Sequence, residues 1–217
     1  RTFRVRSGNA VLDGLATAQT FNLSADQGSI TIAKNGGKID ASGDTCGTIT
    51  LSANGSVIIE GASAPGDTGA ALTVAAQKFN AAGKGGAITI ESGASLNGSF
   101  SSLALGSGAQ LDIQSGSTIN LGVAAATTAA ADAALGHFTG TLHLRAPQTA
   151  GNTDAQIKPV GATITGASLV TIEGYQLFNL KQTGAQNGVL TNSGTNEAAG
   201  GDIATGNNVQ GKIGRAH

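Results

Sequence analysis

Ile49-Thr50-Leu51, Val57-Ile58-Ile59, Leu72-Thr73-Val74, Ile88-Thr89-Ile90, Leu103-Ala104-Leu105, Leu111-Asp112-Ile113 and Ile119-Asn120-Leu121 repeat one phrase between Gly47 and Gly122. The phrase is apolar, most often small or polar, then apolar, and it is followed by a turn containing glycine. Alternation over three residues places the first and third side chains on one face of a strand and the middle one on the other. Each phrase therefore reads as a very short strand with an apolar inward side. The inward set comprises Ile30, Ile32, Ile49, Leu51, Val57, Ile59, Leu72, Val74, Ile88, Ile90, Leu103, Leu105, Leu111, Ile113, Ile119 and Leu121.

Spacing extends the reading. Ile49 to Val57, Ile88 to Leu96, Leu103 to Leu111 and Leu111 to Ile119 are each eight residues apart, and Ile30 to Ile49 is nineteen. A three-residue strand buries no core alone or in a hairpin, whereas stacked coils of about 20 residues bury a continuous one. The expected fold is all-β: a parallel β-helix, a solenoid with about 20 residues per coil.

The composition agrees. The chain has 217 residues, with 34 glycines, 3 prolines, 3% aromatic and 12% charged residues. An average domain carries roughly 25% charged residues. Gly, Ala, Ser, Thr and Asn suit tight corners and a narrow interior. A Gly-X-Y period is absent, which excludes collagen, and apolar residues at fixed phase argue against disorder. A net charge of −1 gives no general attraction to nucleic acid or to an anionic membrane. Cys46 is the single cysteine, so an intrachain disulfide and a cysteine-based metal site are excluded. No apolar run approaches the ~20 residues of a membrane span. The opening Arg1-Thr2-Phe3-Arg4-Val5-Arg6 lacks the apolar core of a signal peptide, and the chain is expected to be an internal piece of something larger.

Taken in order, residues 1–27 show a looser pattern around Phe3, Val5, Val11, Leu12, Leu15, Phe21 and Leu23, read as the first coil or an irregular entry, and the regular part is expected to begin at Ser29. Residues 61–70 and 75–86 read as longer corners. The β-helix is expected over 1–121. Residues 122–136 are an Ala-rich excursion with helix propensity, short enough to need support from the coil. Further coils are expected over 137–183, at Thr141-Leu142-His143-Leu144-Arg145, Ile157, Ile164, Leu169-Val170-Thr171-Ile172 and Leu177-Phe178-Asn179-Leu180. Residues 184–217 form a polar, Gly/Asn-rich tail in which partial order is expected.

Three passages in order carry a family resemblance. Lys38-Ile39-Asp40-Ala41-Ser42-Gly43 with Gly47-Thr48-Ile49-Thr50-Leu51-Ser52-Ala53-Asn54-Gly55-Ser56-Val57 resembles the coils of filamentous-haemagglutinin-type exoproteins. Gly140-Thr141-Leu142-His143-Leu144-Arg145-Ala146-Pro147 is similar to a phrase that recurs in them, and Ile164 to Tyr175 is similar to a segment that follows it. The resemblance implies a right-handed parallel β-helix in a large secreted protein of the bacterial surface, exported by an outer-membrane partner transporter and used in adhesion or biofilm. It implies host or neighbouring-cell glycans or proteins as partners. The amino-terminal secretion domain of such proteins is not in this sequence. The family has no shared catalytic residues to transfer.

Chemistry-bearing residues are few. Thr31, Thr50, Thr73 and Thr89 are middle, outward residues, and coils stacked about 4.8 Å apart would align them as a ladder facing ice or a repetitive polysaccharide. The plainer reading is that threonine suits an exposed strand. Asp112, Asn120, His143 and Thr171 occupy the same outward phase later. Asp40, Asp44 and Asp112, with Lys38 and Lys84, are the nearest approach to the clustered charges of a polysaccharide lyase or hydrolase, and they read better as solvated turn residues. His137 and His143, with Asp132 and Arg145 nearby, lack a third convincing metal ligand. Neither a Gly-x-Ser-x-Gly elbow, a calcium-roll repeat nor a phosphate loop is present. No cofactor is expected. Asn22, Asn54 and Asn97 begin Asn-x-Ser sequons and are candidate glycosylation sites.

The expected function is therefore a non-enzymatic structural or adhesive rod. A carbohydrate-binding or carbohydrate-active β-helix is one alternative, distinguished by an outward carboxylate cluster in a groove. A subunit that stacks head to tail into filaments is another, distinguished by solution size that grows with concentration.

Overall fold

A computed structural model describes residues 1–43, 46–75, 84–94, 108–122, 139–149 and 153–175. Fifteen strands and no helix occur among the described residues. In chain order they are β1 (Thr2–Val5), β2 (Ala10–Leu12), β3 (Leu15–Thr17), β4 (Thr20–Ala25), β5 (Ile30–Ile32), β6 (Lys38–Asp40), β7 (Thr48–Ala53) and β8 (Val57–Ile59). There follow β9 (Ala71–Thr73), β10 (Lys84–Ser92), β11 (Leu111–Ile113), β12 (Thr118–Asn120), β13 (Thr139–Pro147), β14 (Thr163–Thr165) and β15 (Ala167–Tyr175).

The strands sort into three parallel sheets in the order in which the chain reaches them. The first sheet runs β1-β4-β7-β10-β13-β15, the second β2-β5-β8-β11 and the third β3-β6-β9-β12-β14. From β1 to β12 the chain visits the three sheets in rotation, adding one strand to each; after β13 it touches the second sheet only through the isolated bridge of Ile157 to Leu111 before β14 joins the third and β15 the first. The eight-residue spacing is the step from one sheet to the next: Ile49 lies on the first sheet and Val57 on the second, while Leu111 lies on the second and Ile119 on the third.

Apart from shifts at the start of β10 and of β13, between Lys84 and Ala87 and between Gly140 and Thr141, pairing is in register, so like positions form columns. In the first sheet Phe21, Ile49, Ile88 and Leu142 are successive partners, as are Leu23, Leu51, Ile90 and Leu144. In the second, Ile30, Val57 and Leu111 stack, and in the third Ile39, Leu72 and Ile119. These columns meet in one hydrophobic core. Every described member of the expected inward set is buried; Leu103 and Leu105 lie outside the described residues. Burying each such side chain contributes about 1.5–3 kcal/mol, and the backbone groups of each strand inside a sheet are satisfied by the strands on either side of it.

Corners stack as well. The amides of Ala33, Glu60, Gln114 and Gly161 donate to the carbonyls of Leu12, Ile32, Ile59 and Ile113, each one coil earlier. Residues 61–70 form the long corner expected of them, joining β8 to β9.

Three expectations change. Coil length is not uniform: along the first sheet Thr2, Asn22, Thr50, Thr89, His143 and Thr171 are aligned, so successive coils advance by 20, 28, 39, 54 and 28 residues. Length is added between strands, where it leaves the inward columns intact. Regular structure begins at β1, well before Ser29, because β1 to β3 pair with β4 to β6 although their own apolar residues are less buried. Lys84-Gly85-Gly86 is the start of β10, not a corner. Gly86 is buried where a Cβ would sit 2.4 Å from the Val74 side chain, so glycine is required there by packing.

The Ala-rich stretch after Gly122, Leu177 to Leu180 and the 184–217 tail lie outside the described residues. Among the described residues no helix is long and apolar enough to cross a membrane. The inward columns of the first sheet end half exposed, at Phe3 (47%) on one side and at Val170 (46%) and Ile172 (52%) on the other.

Candidate interaction face

Outward residues also form columns, and their composition separates the three sheets. On the first sheet Thr2, Asn22, Thr50, Thr89, His143 and Thr171 are consecutive partners. Thr50 and Thr89 are thus brought together. Thr31 lies on the second sheet between Val11 and Ile58, and Thr73 on the third between Asp40 and Asn120. The four threonines occupy three faces, because successive phrases belong to different sides of the coil.

The third sheet carries its own polar column, Thr17, Asp40, Thr73, Asn120 and Thr165. Here the side chains serve the corners: Asp40 Oδ1 accepts from the Ser42 amide at 2.9 Å, and Asn120 Oδ1 accepts from the Gly122 amide at 2.9 Å. These local bonds shape turns. On the second sheet Asp112 Oδ2 accepts from Lys158 Nζ at 2.8 Å and from Gln114 Nε2 at 3.2 Å. Lys38 is exposed beside Leu15 and Ala71. Asp40 and Asp112 therefore stand on different sheets. Asp44, His137, Asp132 and the Lys84 side chain lie outside the described residues.

Of the sequons, Asn22 sits within β4, its Nδ2 3.4 Å from Thr2 Oγ1. Asn54 donates from Nδ2 to the Ala94 carbonyl at 3.1 Å. Asn97 is outside the described residues.

The concentration of charge on the first sheet lies at its β10-β13-β15 side. Arg145 stands between Glu91 on β10 and Glu173 on β15. Its Nη1 donates to Glu91 Oε1 at 2.7 Å, its Nε to Glu173 Oε2 at 2.8 Å and its Nη2 to Glu173 Oε1 at 3.2 Å. His143 Nε2 lies 3.0 Å from Glu173 Oε2. The guanidinium also covers the Tyr175 ring at 5.1 Å, a cation–π geometry, and the Tyr175 hydroxyl donates to the Ser92 carbonyl. Burial pushes the Tyr175 hydroxyl up, with the charge of Glu91 adding to the effect.

Arg145 and Glu173 each favour the other's charged form. The hydrogen bond from Arg145 holds Glu173 below the usual carboxylate range, against the opposing effect of burial and with help from the Arg145 charge and from His143. Burial acts to lower the Arg145 pKa, but the Glu173 hydrogen bond and the charges of Glu91 and Glu173 outweigh it and raise it. Chemically this is a staple of two carboxylates on one shared guanidinium across three coils. A glycosidase acid needs the reverse, a carboxyl pKa pushed up.

Sequence reasoning missed the staple, because its members are 54 and 28 residues apart and no constant coil length connects them. A readable signal exists all the same. Ile88-Thr89-Ile90-Glu91, Leu142-His143-Leu144-Arg145 and Val170-Thr171-Ile172-Glu173 align as apolar, polar, apolar, charged, which superposes the three charges with alternating sign.

Arg145→Ala should cost about 1–2 kcal/mol in urea unfolding, the range between an exposed pair and a buried one, since it leaves Glu91 and Glu173 without their shared cation. The pH dependence follows from Glu173. A lowered folded pKa contributes stability that is present above the unfolded carboxylate value of about 4.3 and lost as pH falls through the folded one. Wild-type stability should therefore decline more steeply below about pH 4.3 than that of Arg145→Ala; parallel curves would show that the staple adds nothing.

Among the described residues no three His, Cys, Asp or Glu side chains stand together as metal ligands. Comparison of the chain with protein-family models, with curated proteins and with solved structures returned no match.

Proposed function

We propose that this chain is a stretch of right-handed parallel β-helix that serves as a structural and adhesive rod, without catalysis, in a secreted protein of the bacterial surface. The observation that carries the reading is the unbroken set of in-register apolar columns across three parallel sheets whose strands are added in chain order. Such a stack lengthens by repetition and tolerates additions between strands. The resemblance of the Lys38–Val57, Gly140–Pro147 and Ile164–Tyr175 passages to filamentous-haemagglutinin-type coils supports export through an outer-membrane partner transporter and contact with surface glycans or proteins. Pairing of Glu91 and Glu173 with Arg145 supports a supporting role for those carboxylates over a catalytic one.

The test is binding of the 217-residue chain to a panel of glycans and extracellular-matrix proteins, with a reducing-end assay on the same wells. Selective binding without new reducing ends is the expected outcome. New reducing ends would replace the proposal with a carbohydrate-active enzyme, and binding to nothing on the panel would remove its adhesive half.

A further inference from the structure

The corner that leads from β5 to β6 contains Lys34-Asn35-Gly36-Gly37. Both members of its Asn-Gly pair are dictated by the stack. Asn35 has φ +60°, the one positive value at a non-glycine among the described residues, and Asn tolerates that region better than most residues. Gly36 passes over the corner of the preceding coil, where a Cβ would lie 2.2 Å from the Asp13 carbonyl oxygen. No larger residue fits between two stacked corners.

An asparagine followed by glycine is the least hindered arrangement for attack of a backbone nitrogen on the preceding side chain. Here the side chain is tethered to the next coil. Asn35 Nδ2 donates to Asp67 Oδ1 at 3.0 Å, Asn35 Oδ1 accepts from the Thr68 amide at 2.8 Å, and the Asn35 amide donates to the Thr68 carbonyl at 2.7 Å. Asp67 is held in turn by Lys34 Nζ at 2.8 Å and by the amides of Ser63 at 3.2 Å and Ala64 at 3.0 Å.

We propose that Asn35-Gly36 is a site of spontaneous deamidation, guarded by its hydrogen bonds to Asp67 and Thr68, and that its conversion unfastens the corner between the second and third coils. The Gly36 nitrogen attacks Asn35 Cγ, a C–N bond forms, and ammonia leaves, giving a succinimide. Water then opens the ring at either carbonyl to aspartate or isoaspartate. No oxidant or reductant is involved.

The product cannot restore what is lost. Aspartate at 35 has no N–H for Asp67 and sets a second carboxylate against it. The hydrogen bonds from Lys34 and Asn35, with those from Ser63, hold the Asp67 carboxyl well below its usual range, so it remains charged at neutral pH and repels the newcomer. Isoaspartate also lengthens the backbone by one carbon, which the approach of Gly36 to Asp13 leaves no room for. The reaction is a one-way release of a corner that holds two coils together.

Asn54-Gly55 is the internal reference. Its Nδ2 donates to the Ala94 carbonyl, and it has no contact with Asp67 among those described. The experiment incubates the folded chain and an Asp67→Ala variant at mildly alkaline pH, then maps peptides by mass for the 1-dalton gain and for isoaspartate. The expected result is slow conversion at Asn35 in the wild type, a several-fold increase at Asn35 in Asp67→Ala and little change at Asn54. Equal acceleration at both sites would mean general loosening and would overturn the guarded-site assignment, as would an unchanged rate at Asn35. A second arm uses Asn35→Asp, which should melt below wild type near neutral pH; an unaltered melting temperature would overturn the claim that conversion unfastens the corner.

Discussion

Ile90→Asp should abolish cooperative folding of the coil stack, while Thr89→Ala, one residue away, stays within about 1 kcal/mol of the wild type. Ile90 has no exposed surface and is paired with Leu51 below and Leu144 above. An aspartate there would bury a carboxylate in a column that offers no cation and no donor. It would also remove an isoleucine whose loss alone costs about 2–5 kcal/mol. Together these effects approach the whole stability of an ordinary domain, about 5–15 kcal/mol. Thr89 faces outward between Thr50 and His143, and its truncation loses only strand preference and a partly solvated contact. Circular dichroism during thermal unfolding distinguishes the cases. Equal losses from the two substitutions would overturn this phase assignment.

The second large effect is expected at a corner. Gly61→Ala should destabilise by about 2–3 kcal/mol, the cost of forced overpacking. A Cβ at Gly61 would sit 1.7 Å from the Ser115 carbonyl oxygen, a backbone atom of the next coil. Neither corner can yield without breaking bonds such as Gln114 to Ile59 and Thr118 to Ala70. Gly14→Ala supplies the contrast, because nothing lies within 4 Å of its Cβ and its φ is not in the left-handed region. Alanine there should be neutral or stabilise by about 0.4–1 kcal/mol by restricting the unfolded chain. Denaturant midpoints of the two variants measure the difference directly.

The contrast between those glycines marks a general limit. Composition explains why corners are rich in glycine, but Gly14 and Gly61 look alike in sequence. Only the placement of Ser115 over Gly61 makes one of them obligatory. The same limit applies to the charged staple. Glu91, Arg145 and Glu173 each follow an apolar-polar-apolar phrase, which is legible, whereas their contact depends on which strand is laid beside which after 54 and 28 residues of intervening chain. The threonines illustrate the opposite case: their shared outward phase is readable, but a phase says nothing about which of three sheets a strand joins.

What the amino-acid order determined by itself is the inward and outward face of each short strand, the all-β character and the parallel stacking. The physical reason is that alternation has a period of two, so even three residues with two apolar ends declare a face, and strands this short bury a core only by stacking on copies of themselves. What only the tertiary structure decided is coil length, the start of regular pairing at β1, the division of Thr31, Thr50, Thr73 and Thr89 among three sheets, the Glu91-Arg145-Glu173 staple and the tether of Asn35 to Asp67. Those depend on how far the chain travels before it returns, and chain inserted outside the core changes that distance without disturbing the inward columns that hold the stack.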